Sequence, residues 1–164
     1  MKIRKAALAD VDKQLEVFDF ARSIMRNTGN MNQWTDGYPS REVVENDIAA
    51  GNSYVCIDDS GEIVATFCFW QGNDPTYAYI ENGQWLNDEP YGVVHRLATS
   101  GKVKGIGTYC LEWCFQQCPN IRVDTHHDNW VMQSVLKKNG YTECGVIYLA
   151  NGSPRVAFQK YGQE

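Results

Sequence analysis

The stretch that decides the fold runs from residue 101 to residue 108 and reads Gly101-Lys102-Val103-Lys104-Gly105-Ile106-Gly107-Thr108. It follows an apolar run, Tyr91–Thr99, and opens into a helical pattern, so the predicted order is strand, short loop, helix. Glycines at the start of a helix remove Cβ atoms and let successive backbone N–H groups converge on an anion, and the helix dipole adds positive potential there. Taken alone, the stretch is compatible both with a phosphate site and with a tight turn that binds nothing.

Two common nucleotide-binding patterns do not fit this loop. Gly105 and Gly107 match the first two glycines of G-x-G-x-x-G, but the third position is Cys110. No Gly-Lys-[Ser/Thr] follows at the spacing of a Walker A loop. The residues therefore indicate a helix N-terminus that can hold phosphate, and they argue against a nucleotide-binding switch.

Length and composition limit the class of protein. The 164 residues are 43% hydrophobic and 21% charged, which predicts one soluble globular domain spanning residues 1–164. No segment approaches the ~20 apolar residues of a membrane span, and the N-terminus acquires charge too soon for a signal peptide, so we expect a cytoplasmic protein with no membrane partner. The net charge of −5 argues against a nucleic-acid partner, because such a surface needs uncompensated Lys and Arg.

Three of the six cysteines follow a helical spacing. Cys110, Cys114 and Cys118 lie at i, i+4 and i+8, on one side of a single helix. A metal site would need a fourth ligand and short C-x2-C pairs, which the sequence lacks. Buried thiols along a helix are therefore the favoured interpretation, and no metal is expected.

The order of elements predicts the fold class. Strand patterns occur at Lys2–Lys5, Ser53–Ile57, Ile63–Trp70, Tyr91–Thr99, Ile121–Thr125, Tyr141–Leu149 and Arg155–Lys160. Helical patterns occur at Asp10–Arg26, Ser40–Gly51, Gly107–Gln117 and Trp130–Lys138. Residues 71–90 fit either one more short strand or a structured loop. This order predicts a mixed α+β (α/β) domain whose mostly antiparallel twisted sheet of six to seven strands carries about four helices on its faces. The segment Val93–Thr125 should be a right-handed parallel crossover.

Two sequence blocks resemble the GNAT family of N-acetyltransferases. The family's pyrophosphate loop has the form [Gln/Arg]-x-x-Gly-x-[Gly/Ala], which is similar to Lys102-Val103-Lys104-Gly105-Ile106-Gly107 with lysine at the first position. Its second block has the form Asn-x-x-Ala-x-x-Leu-Tyr-x-Lys-x-Gly-[Phe/Tyr]. Here this block reads Asn129-Trp130-Val131-Met132-Gln133-Ser134-Val135-Leu136-Lys137-Lys138-Asn139-Gly140-Tyr141. The separation of the two blocks and the order of elements agree with the family.

The resemblance implies acetyl-CoA as co-substrate, without a metal, and transfer of the acetyl group to a primary amine of a small molecule or peptide by direct attack in a ternary complex. It implies that the strand before the loop splays from its neighbour, so that Leu97 and Thr99 offer backbone groups to the cofactor and a main-chain N–H near Ala98 polarises the thioester carbonyl. Pyrophosphate contacts are expected from Lys102, Lys104, Gly105, Ile106, Gly107 and Thr108. Asn129 falls on the family's pantetheine-contacting asparagine, and it is equally suited to cap a helix.

The candidate catalytic residues are His95, Tyr148 and Asp124. His95 lies two residues before Leu97, hence on the same strand face, and some members of the family carry a histidine base there; a histidine without a catalytic role is the alternative. The family's tyrosine that protonates coenzyme A corresponds to Leu136, which has no proton to give. The candidate substitutes are Tyr148, Tyr109, Ser134 and water. This departure leaves open a non-catalytic acyl-CoA-binding module with the same fold.

Acidic and aromatic side chains are expected to face the acceptor amine, whose identity the sequence does not give. The candidates are Trp34, Tyr38, Trp70, Glu81 and His126. Trp34 and Tyr38 would either line the cleft or only anchor their loop. Asp124 and His126 share a strand face and would orient a cationic acceptor or assist as a base, whereas the adjacent His127 should point the other way and leave a metal without enough ligands. Pairing of C-terminal strands between two copies would give a homodimer, which the sequence leaves open.

Overall fold

The computed structural model describes residues 1–162, which form a seven-stranded sheet with helices on both faces. The strands are β1 (Lys2–Lys5), β2 (Ser53–Ile57), β3 (Ile63–Gln71), β4 (Gly92–Thr99), β5 (Asn120–Thr125), β6 (Thr142–Tyr148) and β7 (Pro154–Tyr161). The helices are α1 (Val11–Asn27), α2 (Arg41–Ala49), α3 (Ile106–Gln117) and α4 (Trp130–Lys138). The strand order is β1-β2-β3-β4-β5-β7-β6, and all neighbours are antiparallel except β4 and β5. The predicted fold class is confirmed.

The parallel strands β4 and β5 separate soon after they begin. Gly92 lies opposite Ile121 and Val93 lies opposite Arg122, and the described strands pair no further. The rest of β4 remains bonded to β3 on its other side. Backbone groups of β4 that face β5 beyond Val93 therefore have no strand partner in the described part of the chain, and we call this divergence the fork.

A β-bulge at Arg96 changes the direction of the side chains in β4. Ala98 lies opposite Thr66 and His95 lies opposite Cys68, so β4 has one residue more than β3 in this interval, and Arg96 has a φ of 53°. His95 consequently shares a face with Ala98, whereas Leu97 packs against the core on the other face. The expectation that His95 and Leu97 lie on one face is wrong, because it assumed uninterrupted alternation.

The two pairs of helices cover opposite faces of the sheet. On one face, Val11 and Phe18 of α1 and Val44 of α2 pack with Ala98. On the other face lies the main core, to which α3 contributes Ile106, Cys110, Leu111 and Cys114 and α4 contributes Leu136. Cys110 and Cys114 are fully buried free thiols, as the helical spacing predicts, and Cys118 is partly buried. In the described chain, no helix combines the length and the hydropathy that a membrane span requires.

Residues 72–91 form a structured loop with a short 3-10 turn at Pro75–Tyr77 and a single bridge between Glu81 and Val146. Tyr77 is 1% exposed and packs with Val93, Ile147 and Ala157 beneath the fork. The loop alternative for this segment is therefore the correct one. It fixes the position of Asp74, which precedes the 3-10 turn and accepts the N–H of Thr76 at 2.9 Å.

Candidate active site

A cleft of about 960 Å³ opens at the fork. On one side it is lined by the first turn of α3 and one side of α4; on the other it is lined by α1, by the loop before α2 and by Asp74. The second halves of β4 and β5 form its centre, and the turn between β6 and β7 closes one end. The divergence of two strands therefore makes a passage from one face of the sheet to the other.

The first turn of α3 presents free backbone donors to this cleft. Gly105 is the N-cap with a φ of 73°, and the first helical hydrogen bond runs from Tyr109 N to Gly105 O at 3.0 Å. The N–H groups of Ile106, Gly107 and Thr108 consequently have no acceptor within the helix. A Cβ built on Gly107 would meet no atom within 4 Å, so open space lies beside these donors. This arrangement fits a phosphate group.

The lysines of the loop are placed differently from the prediction. Lys102 Nζ pairs with Glu62 Oε2 at 2.7 Å, a hydrogen bond that raises the pKa of Lys102, and neither Lys102 nor Lys104 lines the cleft. The cation that lines this end of the cleft is Lys138, whose neighbour Asn139 donates to Thr108 Oγ1 at 3.0 Å. Lys138 was not selected from the sequence, although it occupies the lysine position of the second sequence block.

The other expected cofactor residues line the cleft. Leu97, Ala98 and Thr99 do so from the free edge of β4. The Asn129 side chain caps α4, because its Oδ1 accepts the N–H of Met132 at 3.0 Å, and its Nδ2 donates to Gln33 Oε1 at 3.0 Å. Both hydrogen-bonding ends of Asn129 are therefore engaged within the protein.

Gln33, which the sequence did not single out, joins the loop before α2 to α4. Its Oε1 accepts from Asn129 and also from the fully buried Asn30, at 2.7 Å. Gln33 also lines the cleft. No local pattern relates Gln33 to Asn129, since 96 residues separate them.

His95 is held between two carboxylates just beyond the fork. Its Nε2 lies 2.7 Å from Asp74 Oδ2, and its Nδ1 lies 3.8 Å from Asp124 Oδ2. Tyr77 donates its hydroxyl to the same Asp124 oxygen at 2.7 Å, and the Trp70 ring packs on the imidazole with centroids 5.2 Å apart. His95, Asp74 and Asp124 all line the cleft.

The ionised carboxylate of Asp74 fixes which nitrogen of His95 carries the proton. Burial acts to raise the pKa of Asp74, but hydrogen bonds from His95 and Thr76 outweigh it, so the pKa lies below its ordinary value. An ionised carboxylate only accepts hydrogen bonds, so Nε2 of His95 carries the proton and Nδ1 of the neutral ring is free to accept one. Asp74 was missed in the sequence, where it stands before a proline with nothing that links it to His95.

The expected acceptor residues divide into two groups. Trp34 and Tyr38 line the cleft. Trp34 also packs edge-on against Phe18, with ring centroids 5.5 Å apart, so it both anchors its loop and lines the cleft. Tyr38 accepts a hydrogen bond from Arg96 at 2.9 Å. Trp70, Glu81 and His126 do not line the cleft, although Trp70 touches His95.

Tyr148 and Glu81 pair with each other outside the cleft. The Tyr148 hydroxyl donates to Glu81 Oε1 at 2.5 Å, which raises the pKa of the tyrosine, and Glu81 also accepts from Tyr79. Tyr109 donates to the Met1 carbonyl at 3.2 Å, and Ser134 is exposed. None of the three side chains considered as proton donors lines the cleft.

Leu136 is 0% exposed and belongs to the main core. The cleft-facing residues of α4 are instead Val131, Met132, Val135 and Lys138. Position 136, which corresponds to the family's tyrosine, therefore faces the core in this chain. The leucine at this position is not evidence that the cleft has lost a proton donor.

The histidine pair after β5 does not point to opposite faces. The strand ends at Thr125, and in the following turn the rings of His126 and His127 stack with centroids 4.3 Å apart. Potential ligand atoms of His126, His127 and Asp128 lie within 4.8 Å of one another. However, Nδ1 of the buried His126 already accepts the N–H of Asp128 at 3.0 Å, and burial and then the charge of Arg155 lower the pKa of His126. A metal ion bound through Nδ1 would displace this hydrogen bond and would lie near the positive charge of Arg155.

Comparison with known proteins gives structural matches only: no protein-family model matches the chain, and no curated protein does. The chain is similar to an acetyltransferase of the GNAT family from Streptococcus agalactiae, with 33% identity over 99% of this chain and 96% of that one and a TM-score of 0.90. A GNAT-family acetyltransferase from Listeria monocytogenes is 18% identical over 97% and 93% of the two chains, with a TM-score of 0.70. A ribosomal-protein-alanine N-acetyltransferase from Brucella melitensis is 14% identical over 99% and 100%, with a TM-score of 0.61. The last two similarities concern the fold alone.

Proposed function

Because the chain belongs to the GNAT family of acetyltransferases, we propose that it transfers the acetyl group of acetyl-CoA to a primary amine of a small molecule or peptide by direct attack in a ternary complex. One observation supports this most: the fork places an unpaired strand edge between a helix N-terminus suited to phosphate and a histidine held by two carboxylates. These are the two ends that a transferase needs, one for an anionic donor and one for a cationic acceptor.

The phosphate end of the cleft fits the coenzyme. The N–H groups of Ile106, Gly107 and Thr108 would hold the pyrophosphate, and Lys138 would add a positive charge. The free edge of β4 at Leu97–Thr99 would pair with the amide groups of the pantetheine arm. Acetyl-CoA, when bound, supplies an acyl group activated as a thioester.

The amine end of the cleft fits proton removal. Asp74 and Asp124 favour a cationic acceptor, and His95 Nδ1 accepts one of the ammonium protons. The neutral nitrogen then forms the C–N bond to the acetyl carbon while the C–S bond breaks. The proton that the attacking nitrogen loses as the amide forms passes through water to the departing thiolate, and His95 returns its own proton to solvent. Backbone N–H groups at the bulge beside Ala98 would stabilise negative charge on the carbonyl oxygen.

Two measurements test the proposal. Calorimetric titration with acetyl-CoA and CoA should show binding of both, and acetyl-CoA should release free thiol in the presence of one class from a panel of polyamines, aminoglycosides, amino acids and peptides. Absence of coenzyme binding would refute the assignment of the phosphate end. Coenzyme binding without thiol release would favour the non-catalytic module; Leu136 no longer argues for that alternative, because it lies in the core.

A further inference from the structure

Arg155, near the start of β7, lines the cleft but takes no part in the mechanism above. One nitrogen, Nη1, donates to Ser153 Oγ at 2.6 Å and to the Pro154 carbonyl at 2.8 Å. Within residues 1–162 the guanidinium forms no ion pair with a carboxylate, and its Nη2 and Nε have no hydrogen-bond acceptor. Its burial lowers the pKa of Arg155, although an arginine keeps its charge in proteins.

The other arginine of the cleft is in a different state. Arg96 forms a two-pronged ion pair with Asp47, with Nε–Oδ2 and Nη2–Oδ1 distances of 2.9 and 2.8 Å. Its charge is therefore matched within the protein. A half-buried guanidinium without such a partner costs folding free energy unless something else offsets it. The charge of Asp124 acts on Arg155 in the opposite direction to its burial without forming an ion pair with it, and a ligand anion in the cleft would complete that offset.

The position of Arg155 relates it to the amine end. Asp124 lies opposite Ala157 in the pairing of β5 with β7, and Arg155 is two residues from Ala157, so Arg155 and Asp124 share a face of the sheet. Diagonal neighbours of this kind lie roughly 7–8 Å apart. Asp124 is in turn 3.8 Å from the free nitrogen of His95. One face thus carries, in succession, His95, the carboxylate of Asp124 and a guanidinium with no direct ion pair.

From this order of charges we propose that Arg155 binds a carboxylate of the acceptor, so that the acceptor is an amino acid rather than a polyamine. The proposal rests on the proposed function, since it assigns the second end of a molecule whose amine meets His95. Two guanidinium nitrogens with no acceptor in the protein suit a carboxylate, which takes two parallel hydrogen bonds. A polyamine would instead bring a second positive charge toward Arg155.

The first test compares matched acceptors with the unmodified enzyme. Each amino acid is paired with its carboxamide and with the amine that lacks the carboxyl group, and thiol release from acetyl-CoA is measured. For the best series, kcat/KM should be about 10- to 100-fold higher for the acid, as expected for charge-assisted hydrogen bonds. Equal or higher values for the carboxamides or for polyamines would overturn the proposal.

The second test changes the cation. Arg155→Gln should raise KM for the acid and remove its advantage over the carboxamide, and Arg155→Lys should retain part of that advantage. The matched control is Arg41→Gln, which changes the net charge equally at an exposed position paired with Asp12. If Arg155→Gln weakens CoA binding in calorimetry and leaves the acid preference intact, Arg155 belongs to the coenzyme end and the proposal is wrong.

A third measurement separates this proposal from the proposed function. If no acceptor gives thiol release, the non-catalytic module is favoured over acetyl transfer, and binding of amino acids to the CoA-saturated protein is then titrated directly. Binding of acids but not of carboxamides, lost in Arg155→Gln or reduced in Arg155→Lys, would support the carboxylate site. Failure of every acid to bind would refute it. Should Arg155→Gln not fold, the acceptor series and Arg155→Lys still decide the question.

Discussion

His95 illustrates how much one residue depends on its partners. A histidine in the middle of a strand is ordinarily ambiguous, but the short contact with Asp74 orients the ring and leaves Nδ1 as the free nitrogen. The resulting geometry is that of a general base with a positioning carboxylate. Asp124, on the far side, would stabilise the charged ring.

We expect His95→Gln to lower kcat/KM by about 100- to 10,000-fold, the usual contribution of a general base. His127→Gln provides the control, since His127 is exposed and outside the cleft. An unchanged kcat/KM in His95→Gln would exclude the histidine as the base.

Asp74 should make stability depend on pH in a defined direction. Its pKa in the folded protein lies below the ordinary value of about 3.9, so its contribution is complete above that value and is lost as the pH falls through the folded-state pKa. Asp74→Asn should therefore lower the free energy of unfolding by about 1–3 kcal/mol at pH 7, and by less below about pH 4. Denaturant titrations at several pH values measure this difference. Asp59→Asn, on an exposed aspartate, should show neither effect.

Residue roles were predicted where a local pattern carried them and missed where distant segments meet. Gly105 and Gly107 follow from spacing alone, because a helix N-terminus is a local structure. The cleft also contains residues that tertiary structure brings there: a loop places Asp74, a contact with a helix cap places Gln33, and a sheet pairing places Arg155. None of these three arrangements produces a local sequence pattern. His126, expected beside Asp124, is buried in the turn after β5 because the strand ends one residue earlier.

At the scale of elements, the first turn of α3 has opposite requirements for stability and for binding. A glutamate at position 107 would be stabilising, because it replaces a helical glycine and complements the helix dipole, a gain of about 1 kcal/mol. The same carboxylate would repel a phosphate. Gly107→Glu should consequently raise the thermal midpoint and weaken CoA binding at least about tenfold.

Gln116→Glu is the control for this substitution, since it adds the same charge to an exposed position near the other end of α3. It should leave CoA affinity unchanged. Equal CoA affinity in Gly107→Glu and the unmodified enzyme would place the phosphates elsewhere.

Helix α4 gives a test of the missing tyrosine. Leu136 is fully buried in the main core, so Leu136→Tyr must fit a larger side chain and a hydroxyl there, and should cost about 1–3 kcal/mol in unfolding free energy. Thiol release should not increase. Lys137→Tyr, at the adjacent exposed position, should be nearly neutral in a thermal melt. A faster enzyme with Leu136→Tyr would show that the position reaches the cleft after all.

The elements themselves were largely predictable. Every strand and helix named from the sequence is present, within one or two residues at its ends. The bulge at Arg96 was not foreseen, because a positive φ at a non-glycine residue has no sequence signal of its own, and it reverses the relation of His95 to Leu97. The segment after Gln71 was ambiguous because its order comes from burial of Tyr77 and not from periodicity.

At the scale of the whole molecule, Gln33 links the two layers of helices by its contacts with Asn129 and Asn30. Saturating CoA, at 100 times its dissociation constant, should stabilise the protein by about 2.7 kcal/mol. Hydrogen exchange should then slow both in the first turn of α3 and in the loop at residues 30–36. In Gln33→Leu the protection of the loop should be lost while that of α3 persists.

Gln116→Leu, an exposed change of the same kind, should preserve both effects. Loop protection that survives in Gln33→Leu would show that the loop contacts the coenzyme directly and does not depend on this link.

The fork also divides the chain into two consecutive halves, since β1 to β4 come from residues 2–99 and β5 to β7 from residues 120–161. Among the strands of residues 1–162, only the pairs at Gly92 and Val93 join these halves, and the single bridge from Glu81 to Val146 joins them outside the strand pairing of β4 and β5. We expect twisting motions of the two halves against each other to be centred on these two residue pairs. The distance between His95 and Asp124 then depends on the angle between β4 and β5. Looser packing around Tyr77, beneath the fork, would therefore slow turnover without altering any group that touches a substrate.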